Sequence, residues 1–245
     1  MDKKRTALSV FEVTKRFGNF TALNGVTLKM EEGASIAIFG PNGAGKTTLL
    51  KILATLWKPA TGKVTIKGID ALKNPERVRA EIGMIFHQSL LYEDLTAHEN
   101  LVFYGRMYGL EKPKQRAETA LEKVHLWDRK NDRVKKFSRG MKQRLAIARA
   151  TLHRPSLLLL DEPFNGLDTS GRKILIRILS NLQQERRSLL LVTHDFKEGI
   201  TLTNRFEILD RGQLVEGGKT KGMTEAKMQA YYKTAVLERE SYLES

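Results

Sequence analysis

The octapeptide Gly40-Pro41-Asn42-Gly43-Ala44-Gly45-Lys46-Thr47 constrains this chain more than any other feature. It follows a strand-like apolar run, Ser35–Phe39, and opens a helical stretch, Thr47–Leu56. The spacing is G-x-x-x-x-G-K-[ST], which between a strand and a helix reads as a phosphate-cradling loop. Glycines let backbone N–H groups turn toward one anion without a Cβ clash. The helix that begins there adds the positive end of its dipole. Lys46 is placed to reach the β- and γ-phosphates of a nucleoside triphosphate, and the Thr47 hydroxyl to ligate Mg²⁺. The loop predicts triphosphate binding, and alone it leaves transport, translation, repair and kinase chemistry all open.

A second apolar run, Leu157–Leu160, ends in Asp161-Glu162-Pro163. Such a run suits a strand buried on both faces, and ligand sites of open α/β sheets lie at the strands' C-terminal ends. Asp161 is expected to hold Mg²⁺ through water, and Glu162 to act as general base on the attacking water. A switch GTPase or a kinase has no need of a second carboxylate directly after the metal aspartate, so the pair favours hydrolysis.

Composition excludes more than it identifies. The 245 residues include no cysteine, which removes disulfides, thiolate catalysis and cysteine-bound zinc and is compatible with a reducing compartment. No strictly apolar run exceeds four residues, whereas a membrane-spanning helix needs about 18. The chain is therefore not expected to cross a bilayer, and Met1–Arg5 lead into a strand and not into a signal-peptide core. The 42 basic and 28 acidic residues leave a net charge of +14. That balance suits nucleic acid, an anionic membrane surface or nucleotide phosphates, but the excess is spread along the chain, as solvated surface charge is.

Hydrophobic periodicity orders the rest. Strands are expected at Leu8–Val13, Val26–Met30, Ser35–Phe39, Val64–Lys67 and Gly83–His87, with a short helix at Pro75–Glu81. Between Thr96 and Leu152 the pattern is only helical. Thr96 and Glu99 form a capping box, followed by Leu101, Tyr104 and Met107 at helical spacing, then by helices at Lys114–Val124 and Gly140–Leu152. Strands then return at Ser156–Leu160, Ser188–Thr193, Phe206–Leu209 and Leu214–Glu216, with Leu175, Ile178, Leu179 and Leu182 marking one helix face. The tail, Thr224–Glu240, reads as helical and polar. The expected class is α/β, a parallel sheet interrupted by a helical insertion.

Phe137-Ser138-Arg139-Gly140-Met141-Lys142-Gln143-Arg144 opens the third helix of that insertion. A serine and a glycine at a helix N-terminus make an anion site, or equally an ordinary serine cap on a basic surface helix. Two phosphate sites on separate parts of one chain are most simply used head to tail. The serine-led helix of one copy then closes on the γ-phosphate held by the other.

With these residues in hand, the sequence resembles an ABC-transporter nucleotide-binding domain from about Leu8 to Gly218. Phe17-Gly18, the phosphate loop, Gln88 after a strand, the Ser138 segment, Asp161-Glu162, Gly166-Leu167-Asp168 and His194 after a strand stand in family order at family spacing. The resemblance implies one domain with a P-loop NTPase (RecA-like) parallel-sheet core, about 1–90 and 154–220. It adds an N-terminal antiparallel β subdomain, an inserted α-helical subdomain at about 91–153 and a polar helical tail at about 221–245. ATP would be bound by Phe17 stacked on adenine, by the loop from Gly40 to Thr48, and by Ser138, Gly140, Met141 and Asp168, the last at a dimer seam. Thr47, Gln88 and Asp161 would hold Mg²⁺, and Glu162, His194, Gln88 and Lys46 would carry catalysis, His194 at the γ-phosphate. The family pattern Leu-Ser-Gly-Gly-Gln stands here as Phe137-Ser138-Arg139-Gly140-Met141, with Arg139 in place of a glycine, and Phe17 replaces the family's usual tyrosine.

The implied reaction is ATP + H₂O → ADP + phosphate. The chain would be peripheral at the cytoplasmic face of the membrane, a homodimer or pseudo-dimer closed by ATP. Separate permease subunits would dock near Gln88 and the helical subdomain. Zinc is not expected, nor nucleic acid, although a soluble nucleic-acid- or ribosome-associated ABC ATPase is the alternative of another class. Phe137–Arg144 and His87–Thr96 are similar to the subgroup serving short six-helix (ABC-2-type) export permeases. The latter segment with Leu101–Leu110 is similar to the ATPases of haem export for cytochrome c maturation, with drug, polysaccharide or lipid export as the alternative.

Overall fold

The computed structural model describes residues 5–86 and 90–243, with side chains as far as 236. Gln88 lies outside the described residues. Strands β1 (Thr6–Phe17) and β2 (Phe20–Glu31) form a long antiparallel hairpin. Both extend well past the runs read from the sequence. From Val26 to Met30 alternate residues of β2 are buried, with Thr27 and Lys29 exposed, but toward the hairpin end adjacent Ala22 and Leu23 are both buried, so the alternation that marks a strand fades at its ends. β3 (Ser35–Phe39) belongs to the other sheet, while β4 (Thr61–Ile66) pairs with β1 and carries the two-residue β5 (Ile69–Asp70). The order β2-β1-β4-β5 is the antiparallel β subdomain.

The core sheet runs β10-β9-β3-β8-β7-β6. Its further strands are β6 (Ile82–Ile85), β7 (Leu157–Asp161), β8 (Ser188–Val192), β9 (Arg205–Asp210) and β10 (Gln213–Lys219). Every pairing is parallel except that of β9 with β10. β3, β7 and β8 are buried at every residue, because both faces are covered. Leu158 and Leu160 of β7 join Leu175, Ile178 and Leu179 of helix α6 (Thr169–Gln184). Leu157 and Leu159 join Leu49 and Leu50 of α1 (Lys46–Leu53) and Leu8 and Val10 of the β subdomain. The face of α6 is the one its spacing predicts. α1 ends three residues before the expected Leu56. α2 (Pro75–Glu81) leads into β6, and α7 (Phe196–Leu202), unread in the sequence, follows β8.

Between β6 and β7 lie α3 (Ala97–Met107), α4 (Pro113–Lys123) and α5 (Arg139–Thr151). Thr96 caps α3 reciprocally: its Oγ1 accepts from Glu99 N at 3.1 Å, and Glu99 Oε2 accepts from Thr96 N at 2.8 Å. Leu101 is buried, but Met107 is 66% exposed, which corrects the face read for this helix. Two three-residue steps from Leu101 rotate about 120° off its direction, and the buried side follows Ala97, Leu101 and Gly105 instead.

The tail is helical, as α8 (Glu225–Leu243), but it is not simply polar. Met228 and Val236 are buried against Phe206 and Ile208 of β9 and Phe39 of β3. Residues eight apart share a helix face, and two such positions with Gln229, Lys233 and Thr234 between them are too sparse to show as a stripe. Among the described residues, no helix is long and apolar enough to cross a membrane.

Candidate functional site

The phosphate loop leaves β3 and passes under two neighbouring backbones. A Cβ on Gly40 would stand 2.1 Å from Leu209 O, and one on Gly45 would stand 2.5 Å from Ala22 O. Gly45 also has φ +105°, a region closed to L side chains. Gly45→Ala is therefore expected to cost at least about 2 kcal/mol of stability and to abolish nucleotide binding. Thermal melting and titration with a fluorescent nucleotide would read the two effects. Lys46 Nζ donates to Gly40 O at 2.7 Å and Pro41 O at 2.9 Å. Burial pushes this ammonium below the ordinary lysine range, while Glu162 and Asp161 pull it back up. Thr47 Oγ1 donates to Asp161 Oδ2 at 3.1 Å.

Two clefts meet over this loop. One, of about 350 Å³, is lined by Phe17, Phe20, Ala22, residues 42–48, Asp161 and Glu162. The other, of about 550 Å³, is lined by Phe39, Gly40, Pro41, Asn42, Glu162, Asn165, His194, Phe196 and Tyr232. Asn42 and Glu162 are common to both. Phe17 is 43% exposed and meets Trp57 edge-on at 5.1 Å. Phe20 pairs with it across the hairpin and is 62% exposed. Sequence reasoning missed Phe20, whose signal was an aromatic at a hairpin end. It also missed Tyr232, which α8 brings in from the far end of the chain.

Glu162 has φ +49°, uncommon for a residue with a side chain. Its backbone N donates to Val192 O at 2.9 Å, which ties the turn after β7 to the end of β8. Its Oε1 lies 2.9 Å from His194 Nδ1. The two sequence-predicted residues thus contact each other, and with the proton on Nδ1 the imidazole donates to the carboxylate.

Behind His194, Arg172 Nη1 donates to Asp195 Oδ2 at 2.9 Å and to Glu198 Oε1 at 2.7 Å. Burial lifts the Glu198 carboxyl from the usual 4.5 to about 7, aided by the Asp195 and Glu162 charges and opposed by Arg172. The folded state then binds the extra proton, so stability falls as pH rises from 4.5 to about 7. Glu198→Gln should remove that part of the slope, read as urea midpoints across the window.

The remaining predicted residues lie apart. Ser138 caps α5, its Oγ accepting from Met141 N at 3.3 Å, and Asp168 caps α6, its Oδ1 accepting from Gly171 N at 2.8 Å. Met141 packs on the core of the helical segment. Ser138, Gly140, Met141 and Asp168 line neither cleft over the phosphate loop. A larger cleft of about 620 Å³, between α4, α5 and α6, contains none of the predicted residues.

Thr47 and Asp161 offer a hydroxyl and a carboxylate oxygen beside the loop, a hard-oxygen pair that fits Mg²⁺ bound together with substrate phosphates. Among the described residues no group of three or more His, Cys, Asp or Glu could hold a metal alone. The donor set therefore suits an ion that arrives with a triphosphate.

The family model described as ABC transporter matches residues 23–165. The ABC transporter ATP-binding protein NatA of Bacillus subtilis is 36% identical over 208 residues, aligning 84% of this chain with 85% of that protein. The linearmycin resistance ATP-binding protein LnrL of the same organism is 34% identical, aligning 86% of this chain with 68% of that protein. The sulfate/thiosulfate import ATP-binding protein CysA of Bradyrhizobium diazoefficiens is 37% identical, with coverages of 91% and 67%. Among solved structures, the dimeric post-hydrolysis state of the ATP-binding cassette MJ0796, bound to ADP and Pi, matches with a TM-score of 0.80 at 30% identity, over 88% of this chain and 100% of that one.

Proposed function

The chain belongs to the ABC transporter family of ATP-hydrolysing subunits, and from that premise we propose that it drives export through separate membrane permeases, as a dimer closed by ATP. One observation carries this reading. Lys46, the Thr47–Asp161 pair and the Glu162–His194 pair all lie at the two clefts over the phosphate loop, whereas Ser138 and Gly140 line neither. A serine-led helix end outside the clefts over its own loop is available to another copy. MJ0796, whose structure is a dimer bound to ADP and Pi, supports the dimer.

In this reading the adenine lies against Phe17 and Phe20, and the triphosphate runs along residues 40–48. Lys46 neutralises β- and γ-phosphate oxygens. Thr47 and Asp161 would hold Mg²⁺, which when bound neutralises further charge on the phosphates. Glu162 accepts a proton from water as the water oxygen bonds to the γ-phosphorus. The bond from that phosphorus to the β–γ bridging oxygen breaks, and ADP keeps the electron pair. With both ring nitrogens carrying protons, His194 donates from Nδ1 to Glu162 and from Nε2 to a γ-phosphate oxygen. Ser138 of the partner subunit completes the cage.

Leu90, Tyr92, Phe103, Met107 and Tyr108 are exposed large side chains around the start of the helical segment. Tyr92 and Phe103 meet edge-on at 4.9 Å. An apolar patch of this kind marks an interaction surface, and we assign it to a permease at the cytoplasmic face of the membrane. The name of LnrL favours export of a drug-like compound, while that of CysA belongs to an importer. The haem-export reading gains no support from these relatives.

Affinity purification from detergent-solubilised membranes tests the proposal. A permease is expected to copurify, and Phe103→Asp to reduce its recovery. ATPase activity stimulated by RNA with no membrane protein recovered would overturn it.

A further inference from the structure

We propose that Arg172 is a positioning residue for hydrolysis, a strut that fixes the turn carrying His194 to the Gly166–Asp168 loop. The proposal rests on the reading of Glu162 and His194 as the groups that act at the γ-phosphate. Arg172 lies in the first turn of α6. Its Nε donates to Leu167 O at 3.2 Å, and its Nη1 donates to Asp195 Oδ2 at 2.9 Å and Glu198 Oε1 at 2.7 Å. One planar guanidinium therefore holds three acceptors, on the 166–168 loop, at Asp195 and in α7, with a fixed fork geometry that an ammonium lacks. Asp195 directly follows His194, and its Oδ1 accepts from Glu198 N at 3.0 Å to cap α7. Any shift of Arg172 is passed to the turn that aims the imidazole.

Glu198 is only 4% exposed, and its Oε2 has no hydrogen-bond partner. A buried carboxylate with an orphan oxygen is a costly way to join two helices, since an apolar pair of the same shape would pack without that penalty. Retaining this polar contact makes sense where the orientation of the guanidinium matters.

The 166–168 loop that Arg172 holds also packs against the serine-led helix. A Cβ on Gly166 would come within 2.5 Å of the Arg139 guanidinium, and one on Gly140 within 3.9 Å of Leu167 Cδ2. The contacts run from residues 139–140 through the 166–168 loop and Arg172 to Asp195, His194 and Glu162. In a head-to-tail pair, the helix end that meets the neighbour's nucleotide would thereby be tied to the hydrolytic pair of its own chain. Arg139, which stands where the family pattern has a glycine, packs against this same loop.

The test is an epistasis measurement on the full-length protein with Mg-ATP. Arg172→Ala is expected to lower kcat about tenfold with the KM for ATP unchanged, and Arg172→Lys to recover part of the loss. In a His194→Ala background, Arg172→Ala should cost nothing further, because the group it positions is gone. A multiplicative loss in that background, or a lowered Tm with wild-type kcat per folded protein, overturns the proposal. Wild-type turnover by His194→Ala alone would instead overturn the hydrolytic reading beneath it. If Arg172→Ala does not fold, Asp195→Asn, which keeps the helix cap, replaces it in the same cycle. No further loss beside His194→Ala again supports the strut, and a multiplicative loss again overturns it.

Discussion

Glu162→Gln is expected to lower ATP turnover about a thousandfold, the range of a lost general base, while ATP affinity stays within about twofold. An amide has the shape of the carboxylate and can still accept from His194 Nδ1, now 2.9 Å away, so the turn after β7 should keep its form. What it cannot do is take the proton from water. Binding is left to Lys46, Thr47 and Asp161, which the substitution does not touch. The ATP-bound dimer should therefore accumulate, visible as a doubled mass in light scattering with ATP and as a monomer without it. Turnover at the wild-type rate would remove Glu162 from the chemistry. A protein that stays monomeric with saturating Mg-ATP, even beside its membrane subunit, would remove the dimer.

The second large effect is a recovery. Lys46→Ala and Ser138→Arg should each abolish turnover when prepared separately, the first by unbalancing the phosphate charge and the second by blocking the serine-led helix end. Mixed in equal amounts, they should regain up to about a quarter of wild-type activity. Half of the random pairs are then mixed, and each mixed pair keeps one intact site of two. No recovery is possible if one chain supplies both elements of a site, since every chain in the mixture is broken. The outcome thus separates a head-to-tail arrangement from two unrelated anion sites. The placement of Ser138 and Gly140 away from both clefts is the reason to expect recovery.

Much of the fold was legible in the residues. β3, β7 and β8 read directly, since strands buried on both faces leave unbroken apolar runs such as Leu157–Leu160. The α3 cap was legible because Thr96 and Glu99 satisfy each other within one turn. α7 and the buried stripe of α8 were not. α7 spans seven residues, too few for its period to repeat, and Met228 and Val236 are two positions eight residues apart with Gln229, Lys233 and Thr234 between them. The long β1–β2 hairpin was half read, because alternation fades into polar residues at its ends.

The sequence by itself determined the local elements: a glycine-rich loop ending in Lys46-Thr47 between a strand and a helix, two carboxylates after a buried strand, and a serine at a helix start. Each is set by residues within a few positions of one another, where backbone geometry and residue type suffice. Only the tertiary structure decided which of these meet. Glu162 reaches His194 across 32 residues because β7 and β8 run parallel and adjacent, so that both turns leave the sheet on the same edge. Arg172 reaches Asp195 and Glu198 because α6 and α7 start from that edge, and Tyr232 enters because α8 folds back over β9. Strand order is a property of the whole packed core, and no periodicity along the chain encodes it.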